Sequence, residues 1–209
     1  MLPARLAGLR VLDLGCGFGD FARKARQEGA ASVIGIDIST NMVAEAARRP
    51  DDPGIEYHCT SIERFDWTGA PFDVVVSSLA LHYVKDYTAA VARVAGLLVT
   101  GGRFVFSVEH PVCTAMARQQ WIRNAEGRAL YWPIDDYRLE GPRHTTWFVE
   151  GVVKYHRTIE TYVNGLIQSG FTLRCLREPE PVSDGASALI PGLDLHCRRP
   201  PFLLLGADC

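Results

Sequence analysis

Long apolar runs are missing from this chain of 209 residues: no stretch approaches the roughly 20 consecutive apolar positions needed to cross a bilayer, and Met1 to Arg10 lacks the apolar centre of a secretory leader. Surplus positive charge is missing as well. With 22 Lys and Arg against 24 Asp and Glu, the formal net charge is -2, which gives a phosphate backbone nothing to follow and excludes nucleic acid as the expected partner. The six cysteines (Cys16, Cys59, Cys113, Cys175, Cys197, Cys209) form no CxxC pair and no metal-ligand spacing. They read as reduced thiols, and no metal is expected. Internal repeats and low-complexity tracts are absent too. Together these absences predict a soluble cytoplasmic chain without a membrane partner. A single domain over 1–209, monomeric or homodimeric, is expected, and 47% hydrophobic residues supply its core.

What is present alternates. β-rich runs at Arg10 to Leu14, Ser32 to Ile38 and Ile55 to Cys59 are separated by helical patterns at Phe18 to Glu28 and Asn41 to Arg49, which is βαβαβ order. Phe72 to Ser77 is nearly continuous in apolar residues, as a central parallel strand covered on both faces requires. Tyr87, Val91, Val94 and Leu98 recur at helical spacing, with Gly101 and Gly102 as the expected stop before a strand over Arg103 to Val108. Ile159, Val163, Leu166 and Ile167 form the apolar stripe of a late helix ended by Gly170. Phe171 to Leu176 and Pro201 to Leu205 read as closing strands. From Pro111 to Glu150 the periodicity fails, and Trp121, Tyr131, Trp132, Tyr137, Trp147 and Phe148 gather there. Long irregular connections serve as lids or binding loops, so 111–150 is expected to be an insertion on the substrate side.

The strongest local signal is Val11-Leu12-Asp13-Leu14-Gly15-Cys16-Gly17-Phe18-Gly19, glycines where a strand turns into a helix. Such a turn lets a ligand touch backbone, because glycine tolerates positive φ and has no Cβ, and the helix start presents unpaired N–H groups. The dinucleotide pattern GxGxxG needs a third glycine where this chain has Asp20; Gly19 arrives one position early. Asp13, two residues before the first glycine, would repel a pyrophosphate but suits a ligand carrying ammonium and sulfonium charges. Asp37 ends the second strand at the spacing of a ribose-binding acid, a role common to either kind of adenosine ligand. Ser39 and Thr40 are N-cap choices for the next helix, and Met42 suits either an adenine face or the core.

Val11 to Gly19 resembles motif I of the class I S-adenosylmethionine-dependent methyltransferases, and Asp37 resembles their ribose-binding acid. Phe72 to Tyr83 resembles the fourth strand and its exit, and Leu97 to Phe106 resembles the approach to the fifth. The resemblance covers about half the chain. It implies an α/β fold, a doubly wound, mostly parallel seven-stranded sheet of Rossmann-like methyltransferase type closed by an antiparallel hairpin, with the aromatic-rich insertion after strand five. It implies S-adenosylmethionine as cofactor, with S-adenosylhomocysteine as product, and a small-molecule methyl acceptor. By position, Asp13, Gly15, Cys16 and Gly17 would hold the methionine end, Asp37 and Ile38 the ribose, and Met42, Ser61 and Ile62 the adenine. Ser78 and Leu79 would border the sulfonium. Family members often carry Asp where this chain has Ser61, and they carry helical residues ahead of motif I where only ten residues precede Val11.

Methyl transfer needs no obligatory acid, but an acceptor that must lose a proton profits from a base. His82 and His110 both follow strands whose carboxyl ends are expected to face the cofactor, and they are the expected catalytic residues; each has a competing reading as a loop-backbone partner. Tyr83 and Glu109 are neighbours with weaker claims. Lys154 to Thr158 is a polar cluster before the late helix that suits either an acceptor contact or a solvated turn capped by Thr158, while Arg198 and Arg199 are expected at the surface. Two other readings share part of the pattern: a nicotinamide oxidoreductase, and a non-catalytic module that keeps the cofactor pocket.

Overall fold

A computed structural model describes residues 1–49, 52–147, 149–181 and 192–209. Phe148, part of the expected aromatic insertion, lies outside them, and side chains are described outside 146–150. The order is β1 (Arg10–Leu14), α1 (Asp20–Gln27), β2 (Ser32–Asp37), α2 (Thr40–Arg48), β3 (Ile55–Cys59), β4 (Phe72–Ser78), a short 3₁₀ turn (Leu81–Tyr83), α3 (Tyr87–Leu97) and β5 (Leu98–Glu109). There follow α4 (Pro111–Thr114), β6 (Ile122–Arg123), β7 (Ala129–Tyr131), β8 (Gly141–Trp147), β9 (Val149–His156), α5 (Ile159–Gln168), β10 (Thr172–Arg177), α6 (Leu193–Arg198) and β11 (Phe202–Asp208).

Seven strands form one sheet in the order β10-β11-β5-β4-β1-β2-β3, parallel throughout except where β11 runs antiparallel to both β5 and β10. This is the doubly wound, Rossmann-like sheet with a closing hairpin that the resemblance implies. β4 occupies the middle, and Phe72, Val74, Val75 and Val76 are buried on it, as a strand covered on both faces requires. The two faces are packed differently. Leu12, Leu14, Ile34 and Phe106 meet Tyr87 and Val91 of α3 and Tyr162 and Leu166 of α5, a bulky aromatic layer. Val11, Val33, Val74 and Val76 meet Ala22 and Ala25 of α1, whose small side chains let the helix lie close.

Gly101 and Gly102 do not stop a helix. They sit within the span of β5, where the pairing with β4 jumps from Phe72↔Leu98 to Val74↔Arg103. Gly101 takes φ +76°, its N–H donates to the Cys209 carbonyl, and the Gly102 carbonyl accepts from Cys209, so the glycines make a bulge tied to the chain end. Lys154 to His156 belong to β9, whose pairing with β8 makes a second antiparallel hairpin beyond the main sheet. The residues after β5 therefore carry structure of their own: α4, a small β6–β7 ribbon and the β8–β9 hairpin.

Candidate functional site

The carboxyl ends of β1, β2 and β4 lie level, with Leu14 opposite Ile36 and Asp13 opposite Val76. The chain leaves β1 through Gly15 at φ +78° and Gly17 at φ +53°. The Gly15 and Cys16 N–H groups both donate to the Ile36 carbonyl at 2.8 Å, which pins the loop against the end of β2. Gly15 has no room for a side chain: a Cβ there would sit 2.3 Å from the Ala80 Cβ. At Gly17 a Cβ would project into open space, so its backbone faces an unfilled volume. Tyr57 of β3 lies across Gly19 and Gly35. A Cβ on Gly19 would come 2.1 Å from the Tyr57 hydroxyl, and one on Gly35 would come 2.8 Å from its ring.

Beneath the loop are two acids. Asp37 accepts from Gly17 N–H through one oxygen and from Ser39 N–H through the other, each at 2.9 Å, and so joins the glycine loop to the start of α2. Asp13 is 1% exposed, and its Oδ2 is buried without a hydrogen-bond partner among the described residues. Burial, and then the charge of Asp37, push its carboxyl up to about 7. An unpartnered buried carboxyl oxygen carries a desolvation penalty that a cation alongside would offset. Burial and the same two acids raise the Cys16 thiol above its ordinary range.

The other expected positions lie at these strand ends or on the segments that follow them. Ile38 and Leu79 are 75% and 37% exposed, and Phe18, beside Gly17, is 43% exposed. Leu79 takes φ +52°, an uncommon state for a leucine, held by its N–H donating to the carbonyl and the hydroxyl of Ser107. Ser39 caps α2, its hydroxyl accepting from Met42 N–H; Met42 is half-buried. The Ser61 carbonyl accepts from the N–H groups of Arg64 and Phe65, while Ile62 packs partly against the core. Ser78 is exposed at the end of β4. The glycine loop, Asp13, Asp37, Ile38, Ser78 and Leu79 thus all lie at the carboxyl ends of the three adjacent strands. Met42, Ser61 and Ile62 lie on the segments that follow β2 and β3.

Past β4 and β5 the chemistry is carried by side chains. His82 is 2% exposed; its Nδ1 accepts from Glu109 N–H at 3.4 Å, which leaves the proton on Nε2. Burial first, then Lys154 and Arg157, drive its pKa down to about 3, so the ring is neutral and a weak proton acceptor. His110 is buried too. Its Nδ1 accepts from Val112 N–H to cap α4, and its Nε2 lies 2.7 Å from Glu178 Oε1. Both nitrogens are spent on structure, and burial lowers its pKa. Glu109, the last residue of β5, pairs with the buried Lys154 through Oε1, while its Oε2 is buried without a hydrogen-bond partner. Tyr83 stands near it, its hydroxyl pushed up to about 12 by burial and then by the Glu109 charge.

The Lys154 to Thr158 cluster is mostly interior. Arg157 donates to the carbonyls of Val84 and Lys85, and His156 bridges the Thr114 hydroxyl and the Tyr137 carbonyl. Thr158 caps α5, accepting from Thr161 N–H. The pairing of Lys154 with Glu109 and the burial of Arg157 carried no local signal, because β9 has too little alternation to be legible as a strand.

A methyltransferase-domain family model matches residues 11–102, from β1 into β5. The crystal structure of an S-adenosylmethionine-dependent methyltransferase from Mesorhizobium loti superposes with a TM-score of 0.91 at 45% identity, covering 100% of this chain and 94% of that one. The chain belongs to the S-adenosylmethionine-dependent methyltransferases. An uncharacterised protein of Haemophilus influenzae is 32% identical over 99% of this methyltransferase and 83% of its own length. A ubiquinone biosynthesis O-methyltransferase from Bradyrhizobium is 38% identical over 49% of this chain and 40% of that protein, so the methyltransferase spans well under half of that relative. The cofactor is S-adenosylmethionine, and the geometry accommodates it: an orphaned buried carboxyl oxygen suits a cation, and the Gly17 backbone faces open space. Among the described residues no helix is long and apolar enough to cross a membrane.

Proposed function

We propose that this methyltransferase methylates a small molecule that enters beside the ends of β4 and β5. The unpartnered Oε2 of Glu109 is the observation that carries this reading. It is a second buried acid oxygen, on the far side of Leu79 and Ala80 in the chain from the glycine loop, at a strand end where it has no hydrogen-bond partner among the described residues. The near-balanced charge supports a small acceptor over a nucleic acid.

On the cofactor side, Asp13 and the loop Gly15-Cys16-Gly17 would hold the methionine end, Asp37 and Ile38 the ribose, and Met42, Ser61 and Ile62 the adenine, with Ser78 and Leu79 beside the sulfur. Asp37 keeps acceptor capacity after its two backbone bonds, since each carboxylate oxygen has a second lone pair. Exposed Ile38, Leu79 and Phe18 offer apolar surface to an adenosyl group. When bound, the cofactor supplies an electrophilic methyl group.

On the acceptor side, the chain's own residues orient the nucleophile and shield it from water. Glu109 Oε2 is placed to accept a hydrogen bond, or the proton, from an acceptor O–H or N–H, while Lys154 fixes Oε1. His82, expected as the base, is better assigned to holding the Glu109 backbone through Nδ1 and offering Nε2–H as a donor. His110 positions α4, and residues 111–150 wall the acceptor side. The test is transfer of labelled methyl from S-adenosylmethionine to a cell extract separated by ultrafiltration. Label in the small-molecule fraction is expected; label confined to retained protein or nucleic acid would overturn the small-acceptor reading.

A further inference from the structure

Apart from the strand-end cleft, a cavity of about 310 Å³ opens where the segment after β5 meets α6. Its walls are Trp121, Tyr131, Trp132, Ile134 and two arginines, Arg198 and Arg199. The indoles of Trp121 and Trp132 meet edge to face at 5.6 Å. Arg199 lies over Trp132 at 4.0 Å and Arg198 over Trp121 at 4.7 Å, so each guanidinium spends a face on an indole and keeps its N–H edge in plane.

The edges are used unequally. Arg198 donates through both Nη atoms to the carbonyls of Ala129 and Leu130, which fixes β7 against α6. Arg199 donates from Nη1 to the Cys113 sulfur, while its Nε is buried without a hydrogen-bond partner among the described residues. Among the described residues neither guanidinium is in an ion pair. A half-buried guanidinium with an unused N–H is costly unless an anion meets it, and a planar two-oxygen anion matches one guanidinium edge. Tyr131 and Ile134 remain 56% and 57% exposed at this apolar wall, more surface than a hydrated inorganic ion would cover.

We propose that this cavity binds a small aromatic carboxylate, its ring against Tyr131, Ile134 and the indoles and its carboxylate on the free edge of Arg199. The volume fits such a ligand, since small-molecule sites begin at about 300 Å³. The cavity is also hung on the active end of the sheet: Trp132 Nε1–H donates to the Val112 carbonyl at 2.8 Å, and Val112 N–H donates to His110, the residue after Glu109. The proposal concerns binding and does not require that this ligand be the one methylated.

Calorimetric titration of the full chain with 1-naphthoate and with its neutral isostere 1-naphthamide tests it. One saturable naphthoate site is expected, with the amide at least about tenfold weaker, as loss of a charge-assisted pair requires. Arg199→Gln is expected to weaken naphthoate at least about tenfold while S-adenosylhomocysteine binds as before; Arg48→Gln, an exposed arginine of α2, leaves both unchanged. Should Arg199→Gln fail to fold, Ile134→Asp, at an exposed position, places a repelling charge in the wall and is expected to weaken naphthoate comparably. Equal binding of the amide overturns the proposal. So does undiminished naphthoate binding in a folded variant, or no saturation at millimolar naphthoate by protein that still binds S-adenosylhomocysteine.

Discussion

The region from β1 to β4 and the region after β5 meet at the same end of the sheet and are built from different materials. The first uses backbone: glycines at positive φ, N–H groups pointed at one carbonyl or one carboxylate, and a single buried acid left unpaired. The second uses side chains, and it joins buried polar groups to one another, Lys154 with Glu109, His156 with Thr114 and Tyr137, Arg157 with two carbonyls, while Glu109 Oε2 and Arg199 Nε have no hydrogen-bond partner among the described residues. A backbone cradle depends on the absence of atoms, so small additions ruin it. A side-chain network depends on their presence, so small removals change what it recognises while the cradle persists.

Four experiments press on that difference. Gly15→Ala puts a Cβ onto Ala80 in a backbone state alanine resists, and S-adenosylhomocysteine affinity measured by calorimetry is expected to fall roughly 100-fold. Asp13→Asn removes the charge proposed to face the sulfonium and ammonium groups; an affinity loss of about 10- to 100-fold at neutral pH is expected. In the parent protein S-adenosylmethionine binding should weaken as pH falls through about 7, where Asp13 takes up its proton, and in Asp13→Asn that dependence should vanish. Glu109→Gln, on the other side, is expected to cut label transfer about tenfold while S-adenosylhomocysteine affinity stays within about twofold. An equal loss of cofactor affinity would mean that the two regions are not separable in this way.

The smallest effect is in stability, and its sign differs between the regions. Asp13 keeps its proton in the fold to about pH 7, against an ordinary 3.8, so the native state holds more protons than the unfolded one and this group's contribution declines as pH rises between those values. His82 behaves oppositely. Its folded pKa near 3 lies below the ordinary 6.5, so its contribution is complete above 6.5 and is lost as pH falls toward 3. Urea denaturation from pH 4 to 7 is expected to show Asp13→Asn gaining and His82→Gln losing pH sensitivity to acid relative to the parent protein, by on the order of 1 kcal/mol per pH unit each. Changes of slope of the same sign in both variants, each taken relative to the parent protein, would contradict the assignment.

Legibility in the sequence follows the same division. β1 to β4 were readable because glycine spacing, an acid at a strand end and a continuous apolar run are local signals, and their bounds match within a residue or two. Gly101 and Gly102 misled because a glycine pair stops a helix and opens a bulge equally well, and the choice rests on Cys209, more than 100 residues away. Arg198 is exposed as expected, whereas Arg199 turns inward under Trp132, a contact between segments far apart in the chain. His82 and His110 were found by position after their strands, but burial and partners decide what an imidazole does, and neither is written in the neighbouring residues.

Tyr57 carries one further implication. Because its side chain occupies the space over both Gly19 and Gly35, one bulky residue sets the room available at two glycines of different elements: a Cβ at Gly35 requires Tyr57 to shift or shrink, and at Gly19 the φ of +73° resists alanine even then.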